Sequence, residues 1–258
     1  MINIILCGYN GAMGKHLIEQ IEANANLYIS AGVDRTENAN CNFPQFKNFR
    51  ALQGAMDDMP SGDVIIDFSH HTLINDLLIF SMANEIPAVI CTTGLDDEIK
   101  GQINRASESV ALFQSGNMSL GINLLMHLSK KAAEVLGEDY DIEIIEKHHH
   151  RKLDAPSGTA LMIADEINTA FSGKMHYQHG RHGTDAKRQA NEIGIHAVRG
   201  GNIVGDHEVI FAGLEEVIEI HHKACSRGVF AKGAIRAAEF LVSQAPGLYN
   251  MNDLVSDL

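Results

Sequence analysis

A chain of 258 residues with 33 acidic against 20 Lys and Arg residues has a formal charge of −13 with histidine neutral. Hydrophobic residues make up 45% and charged residues 21%, which excludes a disordered polymer and allows one large domain or two smaller ones. The acidic balance excludes general nucleic-acid binding but leaves room for a local basic pocket that takes an anionic small molecule. Its four cysteines, Cys7, Cys41, Cys91 and Cys225, form no C-x-x-C pair, which points to reduced thiols in the cytoplasm. The opening stretch Met1–Gly8 lacks a basic segment and breaks at a glycine, so it reads as a strand and not as a signal peptide. No apolar run reaches membrane-spanning length.

Along the chain, Ile2–Cys7 is a short apolar run of the kind buried on both faces of a sheet. Gly8–Gly14 breaks it, and Lys15–Ala23 follows with Leu17, Ile18 and Ile21 at helical spacing. Tyr28–Val33, Val64–Phe68, Ala88–Cys91 and Val110–Phe113 are predicted strands, with helices predicted over Leu73–Asn84 and Asp96–Ser107. Such alternation implies a doubly wound parallel sheet with helices on both sides.

After Asn117 the pattern changes. Gly121–Leu136 spaces Ile122, Leu125, Leu128, Ala132 and Val135 as one amphipathic helix. A strand is predicted over Asp141–Lys147 and a helix over Leu161–Phe171. Gly173–Asn191, poor in apolar residues, reads as a mobile loop. Ile193–Val198, Glu208–Ala212 and Glu216–His222 supply strands with no helix between them, as in an α+β domain with an open sheet. The Ala-rich helix Val229–Ser243 is expected to return to the first domain.

Two motifs carry chemistry. The first is Gly8-Tyr9-Asn10-Gly11-Ala12-Met13-Gly14, between a strand and a helix. Its glycines permit a tight turn, and a helix start offers N–H groups to a pyrophosphate. Asp34 stands 20 residues after Gly14, where an acid would accept hydrogen bonds from an adenosine ribose. The spacing is G-x-x-G-x-x-G, with Asn10 where a middle glycine is usual. Arg35 adds a cation suited to a 2′-phosphate, so NADH and NADPH both stay open. Cys91-Thr92-Thr93-Gly94 and Ser115-Gly116-Asn117-Met118 follow strand ends and are expected to line the nicotinamide half of the groove.

The second motif runs from Glu143 to Ala160. Six basic residues in a row, Lys147 to Lys152, separate a strand from a helix that Ser157 or Thr159 can cap. Cations beside the N–H groups of a helix start suit an organic carboxylate. Repulsion within the run is expected to bring His or Lys into a range useful for proton transfer. Adjacent histidines diverge on an extended chain, so His148, His149 and His150 do not form a metal set. His176, His179 and His182 lack a nearby cysteine or carboxylate to complete a zinc site, and no metal is expected. His221 and His222 are expected in the core or at an interface.

This stretch, E-I-I-E-K-H-H-H-R-K-L-D-A-P-S-G-T-A, closely resembles the signature of the 4-hydroxy-tetrahydrodipicolinate reductase (dihydrodipicolinate reductase) family. The likeness extends to the glycine turn, Thr92-Thr93-Gly94, the Asn117 loop and Arg199–His207. It implies a Rossmann-like dinucleotide-binding domain over residues 1–118, completed by 229–258, and a smaller α+β domain with an open mixed sheet over 119–228 for substrate binding and oligomerisation. It further implies NADH or NADPH as cofactor, a cyclic dicarboxylate substrate in the diaminopimelate route to lysine, and a homotetramer. Carried over by position, His148 is the proton donor and Lys152 its cationic partner, while His149, Gly158 and Thr159 bind substrate. Gly8, Tyr9, Asn10, Gly11, Ala12, Met13, Asp34, Arg35, Cys91, Thr92, Thr93, Ser115, Gly116, Asn117 and Met118 match cofactor positions. His150, Arg151 and Arg199 receive no firm role. Two other readings stay open: another NAD(P)-dependent oxidoreductase of this architecture, such as an aspartate dehydrogenase, and a non-catalytic dinucleotide sensor.

Overall fold

The computed structural model describes residues 1–58 and 61–256, so the last two residues of the expected 229–258 segment lie outside them. The chain divides into two compact units, Met1–Leu120 with Arg227–Leu258 and Gly121–Ser226. In the first unit the order is β1 (Ile2–Cys7), α1 (Ala12–Glu22), β2 (Leu27–Val33), β3 (Gln45–Phe46), α2 (Phe49–Gln53), β4 (Val64–Asp67), α3 (Ile74–Asn84), β5 (Ala88–Ile90), α4 (Asp97–Ser107) and β6 (Ala111–Gln114). The second unit holds α5 (Leu120–Leu136), β7 (Asp141–His148), α6 (Gly158–Ala170), β8 (His176–His179), β9 (Glu192–Arg199), β10 (Gly205–Ala212) and β11 (Val217–Ala224). The chain then returns to the first unit with α7 (Gly228–Leu241), β12 (Gly247–Tyr249) and α8 (Met251–Ser256).

The first sheet has the order β12-β6-β5-β4-β1-β2-β3 and is parallel throughout. Alternation along β1 sends Ile4 and Leu6 into a core with α1 and α7, and Ile5 and Cys7 into a second core with α2, α3 and α4. Both faces are therefore buried, which is why these strands read as continuous apolar runs. Direction along the sheet reverses between β1 and β4, and ligands of open α/β sheets bind outside the carboxyl ends of the strands at such a switch. Helix α7 packs Ala231, Ala234, Ala237 and Ala238 against the first core; a side chain at Gly233 would meet the Met118 carbonyl.

The second sheet runs β11-β10-β7-β9-β8, with β7–β9 and β8–β9 parallel and the other pairs antiparallel. Helices α5 and α6 cover one face, packing Ile122, Leu125, Ile163 and Ile167 on Ile142, Ile144, Ile193, Ile195, Val209 and Phe211. Because side chains alternate, the covered face of β7 continues from Ile142 and Ile144 to Glu146 and His148 at the strand's end. The same face takes Arg199, opposite His148 on β9, and His207, opposite Glu146 on β10.

Several expectations are corrected. Residues 173–191 are not simply a mobile loop: they contain β8, whose register to β9 runs from His176↔Glu192 to His179↔Ile195. Two arginines anchor the rest. Arg181 pairs with Glu143 and Glu192, both at 2.9 Å, and Arg188 with Asp141 at 2.7 Å and Glu143 at 2.5 Å. The sparse apolar content hid these charge contacts. Helix α1 begins at Ala12, three residues earlier than expected, because Gly11 supplies an extended N-cap. Of the two places expected for His221, the core is excluded: its side chain is half-exposed and pairs with Asp206 at 2.8 Å. The short β3, α2 and β12 have too few residues for a periodic pattern.

Candidate active site

At the carboxyl end of β1 the chain turns at Gly8, whose φ of +80° is left-handed and whose added Cβ would sit 2.5 Å from the Phe68 carbonyl oxygen. A Cβ at Gly14 would lie 2.3 Å from the Tyr9 carbonyl oxygen, so the turn closes tightly onto the first turn of α1. Gly11 and Ala12 are exposed at a helix start that no side chain caps. That open cradle fits a pyrophosphate held on amides. The Tyr9 ring is turned into the core, donating to Thr36 O at 3.0 Å and Gln45 Oε1 at 2.8 Å, so only its backbone belongs to the turn. Met13 likewise packs its side chain on the core.

Asn10 has a role of its own. Its amide donates to Asp34 Oδ2 at 3.0 Å, its side chain donates to Thr36 O at 2.7 Å, and its Oδ1 accepts from Asn38 Nδ2 at 3.0 Å. The residue that departs from a middle glycine thus ties the glycine turn to the segment after β2. Asp34 also accepts from the Arg35 amide at 2.7 Å, and a carboxylate with two such bonds keeps capacity for ribose hydroxyls. Arg35 is exposed.

The neighbouring strand ends converge on Asp67, fully buried at the end of β4 beside Cys7 of β1. It accepts from Ser69 Oγ at 2.5 Å, the Ser69 amide at 3.1 Å and Thr92 Oγ1 at 2.6 Å. Burial raises its pKa above the usual carboxylate value, against the lowering pull of those donors. Thr92 therefore spends its hydroxyl on Asp67, Cys91 is buried, and Thr93 and Gly94 stay exposed. In the loop after β6, Ser115 Oγ donates to Asn117 O at 3.0 Å and Asn117 Oδ1 accepts from the Ser119 amide at 2.9 Å; Gly116 is exposed and Met118 buried.

In the second unit, the basic run does not form a single patch. Lys147 lies on the uncovered face with Asp206 at 3.2 Å and Glu208 at 3.7 Å. His150 Nδ1 bonds Gly201 O at 3.0 Å, and Arg151 donates to Asn202 Oδ1 at 3.0 Å, so the run is docked on the β9–β10 connection. Lys152 pairs with the exposed Asp154 at 2.9 Å, which holds the Asp154 carboxyl below its ordinary range. His149 is half-buried. Ser157 is the N-cap of α6, its Oγ accepting from the Ala160 amide at 3.1 Å; Gly158 and Thr159 open the helix, with open space around Gly158.

His148, 9% exposed, stands within a buried polar group at the end of β7. Its Nδ1 lies 2.6 Å from Glu146 Oε2. Glu146 is 0% exposed and accepts from Arg199 through both oxygens at 2.7 Å and from the Ser157 amide at 2.9 Å. Burial alone would raise its pKa, but the bonds from His148, Arg199 and Ser157 outweigh it and hold the carboxyl down at about 2. His207 stacks edge-on at 5.2 Å from His148 and bonds Ser157 Oγ through Nε2 at 3.0 Å. Burial, then repulsion from His148, lowers its pKa to about 4, so it is neutral near pH 7. A methyl placed on Gly205 would lie 3.3 Å from His148 Nε2.

Sequence reasoning named His148, Lys152, Gly158 and Thr159 but gave no part to Glu146, His207, Gly205 or Asp67. A usable signal existed for Glu146: residues i and i+2 of a strand share a face, so the acid two residues before His148 had to stand beside it. Among the described residues, no group of three His, Cys, Asp or Glu side chains is arranged as a metal-binding set.

A parallel sheet with an open glycine cradle, joined in one chain to a mixed sheet bearing a buried Glu–His–Arg group, defines an NAD(P)H-dependent oxidoreductase. The family model described as dihydrodipicolinate reductase, N-terminus, matches residues 2–118, and that of its C-terminus matches residues 121–255. The chain therefore belongs to the dihydrodipicolinate reductase family. It is 49% identical over 255 residues to the 4-hydroxy-tetrahydrodipicolinate reductase of Caldanaerobacter subterraneus subsp. tengcongensis, covering 99% of this chain and 98% of that one. Identity to the reductase of the same name from Clostridium novyi is 44%, with the same coverage. The solved structure of a dipicolinate-bound dihydrodipicolinate reductase from Paenisporosarcina sp. TG-14 shares the fold, with a TM-score of 0.80 at 24% identity over 98% of this chain and 99% of that chain.

Proposed function

We infer that this chain reduces 4-hydroxy-tetrahydrodipicolinate to tetrahydrodipicolinate with NADH or NADPH, in the diaminopimelate route to lysine. The observation that carries the reading is the match of both family models across nearly the whole chain, glycine turn and histidine motif included. The aspartate dehydrogenase and sensor readings are not favoured, since both models are those of the reductase.

When bound, the reduced nicotinamide supplies the hydride. The first unit binds the cofactor: the turn from Gly8 to Met13 takes the pyrophosphate, with the amides that open α1 at Ala12 and Met13 turned to it, Asp34 takes the ribose hydroxyls, Arg35 answers a 2′-phosphate, and the Cys91–Thr93 and Ser115–Met118 loops flank the nicotinamide. The second unit binds the substrate. A carboxylate is held at the start of α6 by Gly158 and Thr159 with His149 alongside, which is supported by the positive end of the helix dipole there and by the dipicolinate that the Paenisporosarcina relative holds. Lys152 offsets the negative charge that grows across the conjugated imine as it is reduced, and His148 returns a proton from Nε2. Asp154 is exposed and Lys152 part-buried, and an ion pair with one exposed partner is worth little, so a substrate carboxylate can displace it.

The finer assignment is a cytoplasmic homotetramer. It is supported by the uncovered face of the second sheet, where Ile145, Val198, Ile210 and Val217 stand among charged residues, with Val198 and Val217 well exposed. No described helix is long and apolar enough to cross a membrane. The test of function is turnover of purified protein supplied with aspartate semialdehyde, pyruvate and the preceding synthase. Loss of reduced-cofactor absorbance that requires the synthase supports the reading; loss with aspartate's oxo-acid and ammonia instead would replace it.

A further inference from the structure

His148 can act as a defined acid only if its ring is fixed and its two nitrogens are distinguished, and none of the residues so far given a catalytic or substrate role does either. Glu146 does both. It shares the covered face of β7 with His148, is fully buried, and meets Nδ1 at 2.6 Å, a distance at which an N–H donates to a carboxylate. A buried carboxylate is costly unless its charge is matched. Arg199 matches it with two parallel bonds at 2.7 Å and is itself anchored to Asp154 O at 2.8 Å. The Ser157 amide adds a third donor at 2.9 Å, which also links the acid to the start of α6.

We propose that Glu146, kept ionised by Arg199, is a positioning residue that fixes the His148 ring with Nδ1 protonated and so makes Nε2 the atom that exchanges the proton. The proposal rests on the reading of His148 as the proton donor. A carboxylate on one imidazole nitrogen selects the tautomer and fixes the ring's orientation, so it acts on proton transfer without touching substrate. The charged or titratable groups around this ring are Glu146 and Lys147 on β7, Arg199 on β9, Asp206 and His207 on β10, and His149, His150, Arg151, Lys152 and Asp154 in the following loop. Of these, Glu146 bonds the ring, Arg199 bonds Glu146, and Lys147 and Asp206 pair with each other on the opposite face. His207 meets the ring edge-on and is neutral near pH 7, which leaves the Glu146 charge to dominate.

The experiment compares wild type, Glu146→Gln and the double variant Glu146→Gln/Arg199→Met, in which no unpaired cation is left behind. The ring nitrogens of His148 are observed by NMR on protein with ¹⁵N-labelled histidine, assigned with His148→Gln. Steady-state kcat and KM are measured in parallel. Wild type is expected to hold the proton on Nδ1 in the neutral ring, and both variants to lose that preference. Their kcat is expected to fall about 10- to 100-fold, part of what a general acid contributes, with KM for the cofactor unchanged. An unaltered tautomer in a folded double variant would overturn the positioning role of Glu146. A changed tautomer with wild-type kcat would instead overturn the reading of His148 as proton donor.

Discussion

Replacing Gly205 with alanine tests how tightly the histidine is held. A methyl carbon at this first residue of β10 would stand 3.3 Å from His148 Nε2, closer than an ordinary methyl contact, and 3.7 Å from Cδ2, an ordinary one. One side must yield by a few tenths of an ångström. Gly205 is held in register to Ala224 of β11 and is followed at once by Asp206, in register to Lys147 of β7, and the ring is pinned at its other nitrogen by Glu146 at 2.6 Å. The ring is therefore expected to pivot about Nδ1 and carry Nε2 off its position. A displacement of 1 Å in a reacting group costs about 100-fold, so a few tenths correspond to about 3- to 10-fold in kcat, or about 0.7 to 1.4 kcal/mol. Stability should not fall in step. Gly205 has no left-handed φ, and an alanine at a compatible site can gain about 0.4 to 1 kcal/mol through the unfolded state. The assay is steady-state kinetics with the coupled synthase beside a urea melt. A Gly205→Ala protein of unchanged stability and unchanged kcat would refute the claim that Nε2 works from the place described.

Lys152→Ala is expected to lower kcat by about 10² to 10⁴ with NADH affinity nearly unchanged, as for a lost acid-base or electrostatic group; near-normal turnover in the folded variant would remove Lys152 from the mechanism. Wild type should use NADH and NADPH with kcat/KM within about tenfold, and Asp34→Ala should shift preference to NADPH by removing the ribose acceptor while leaving Arg35. A wild type that prefers one cofactor by more than about a hundredfold would contradict this reading of the pair. Glu146 predicts an acid-side loss of stability: its folded pKa of about 2 lies below the ordinary 4.5, so its contribution is full above about pH 4.5 and vanishes as pH falls toward 2. The size is about 3 kcal/mol, from about 1.4 kcal/mol per pH unit. Urea melts across that window should show a steeper loss in wild type than in Glu146→Gln/Arg199→Met, and parallel curves would contradict it.

Much of this molecule was legible because its cores repeat. Strands buried on both faces showed as apolar runs, and α5 and α7 showed as helical stripes. The cofactor turn and the His148–Lys152 motif were legible because glycine and clustered charge are locally unusual. What escaped was carried by contacts across long chain separations. Arg199 reaches Glu146 across 53 residues and His207 reaches Ser157 across 50, and no local pattern records either. Asn10 looked like a flaw in the glycine motif because its partners, Thr36 and Asn38, lie beyond the next strand. The 173–191 segment looked like a mobile loop because it is held by ion pairs to Asp141, Glu143 and Glu192 instead of by an apolar face.

The most direct test of the central claim is the fate of the label when the coupled reaction runs with NADPH or NADH deuterated at the nicotinamide C4 position. Tetrahydrodipicolinate is expected to carry one deuterium by mass spectrometry when the label is on the transferred face, with product formation slowed by about 10²-fold or more in His148→Gln and Lys152→Ala. Cofactor oxidation without labelled tetrahydrodipicolinate, from either face of the nicotinamide, would contradict it.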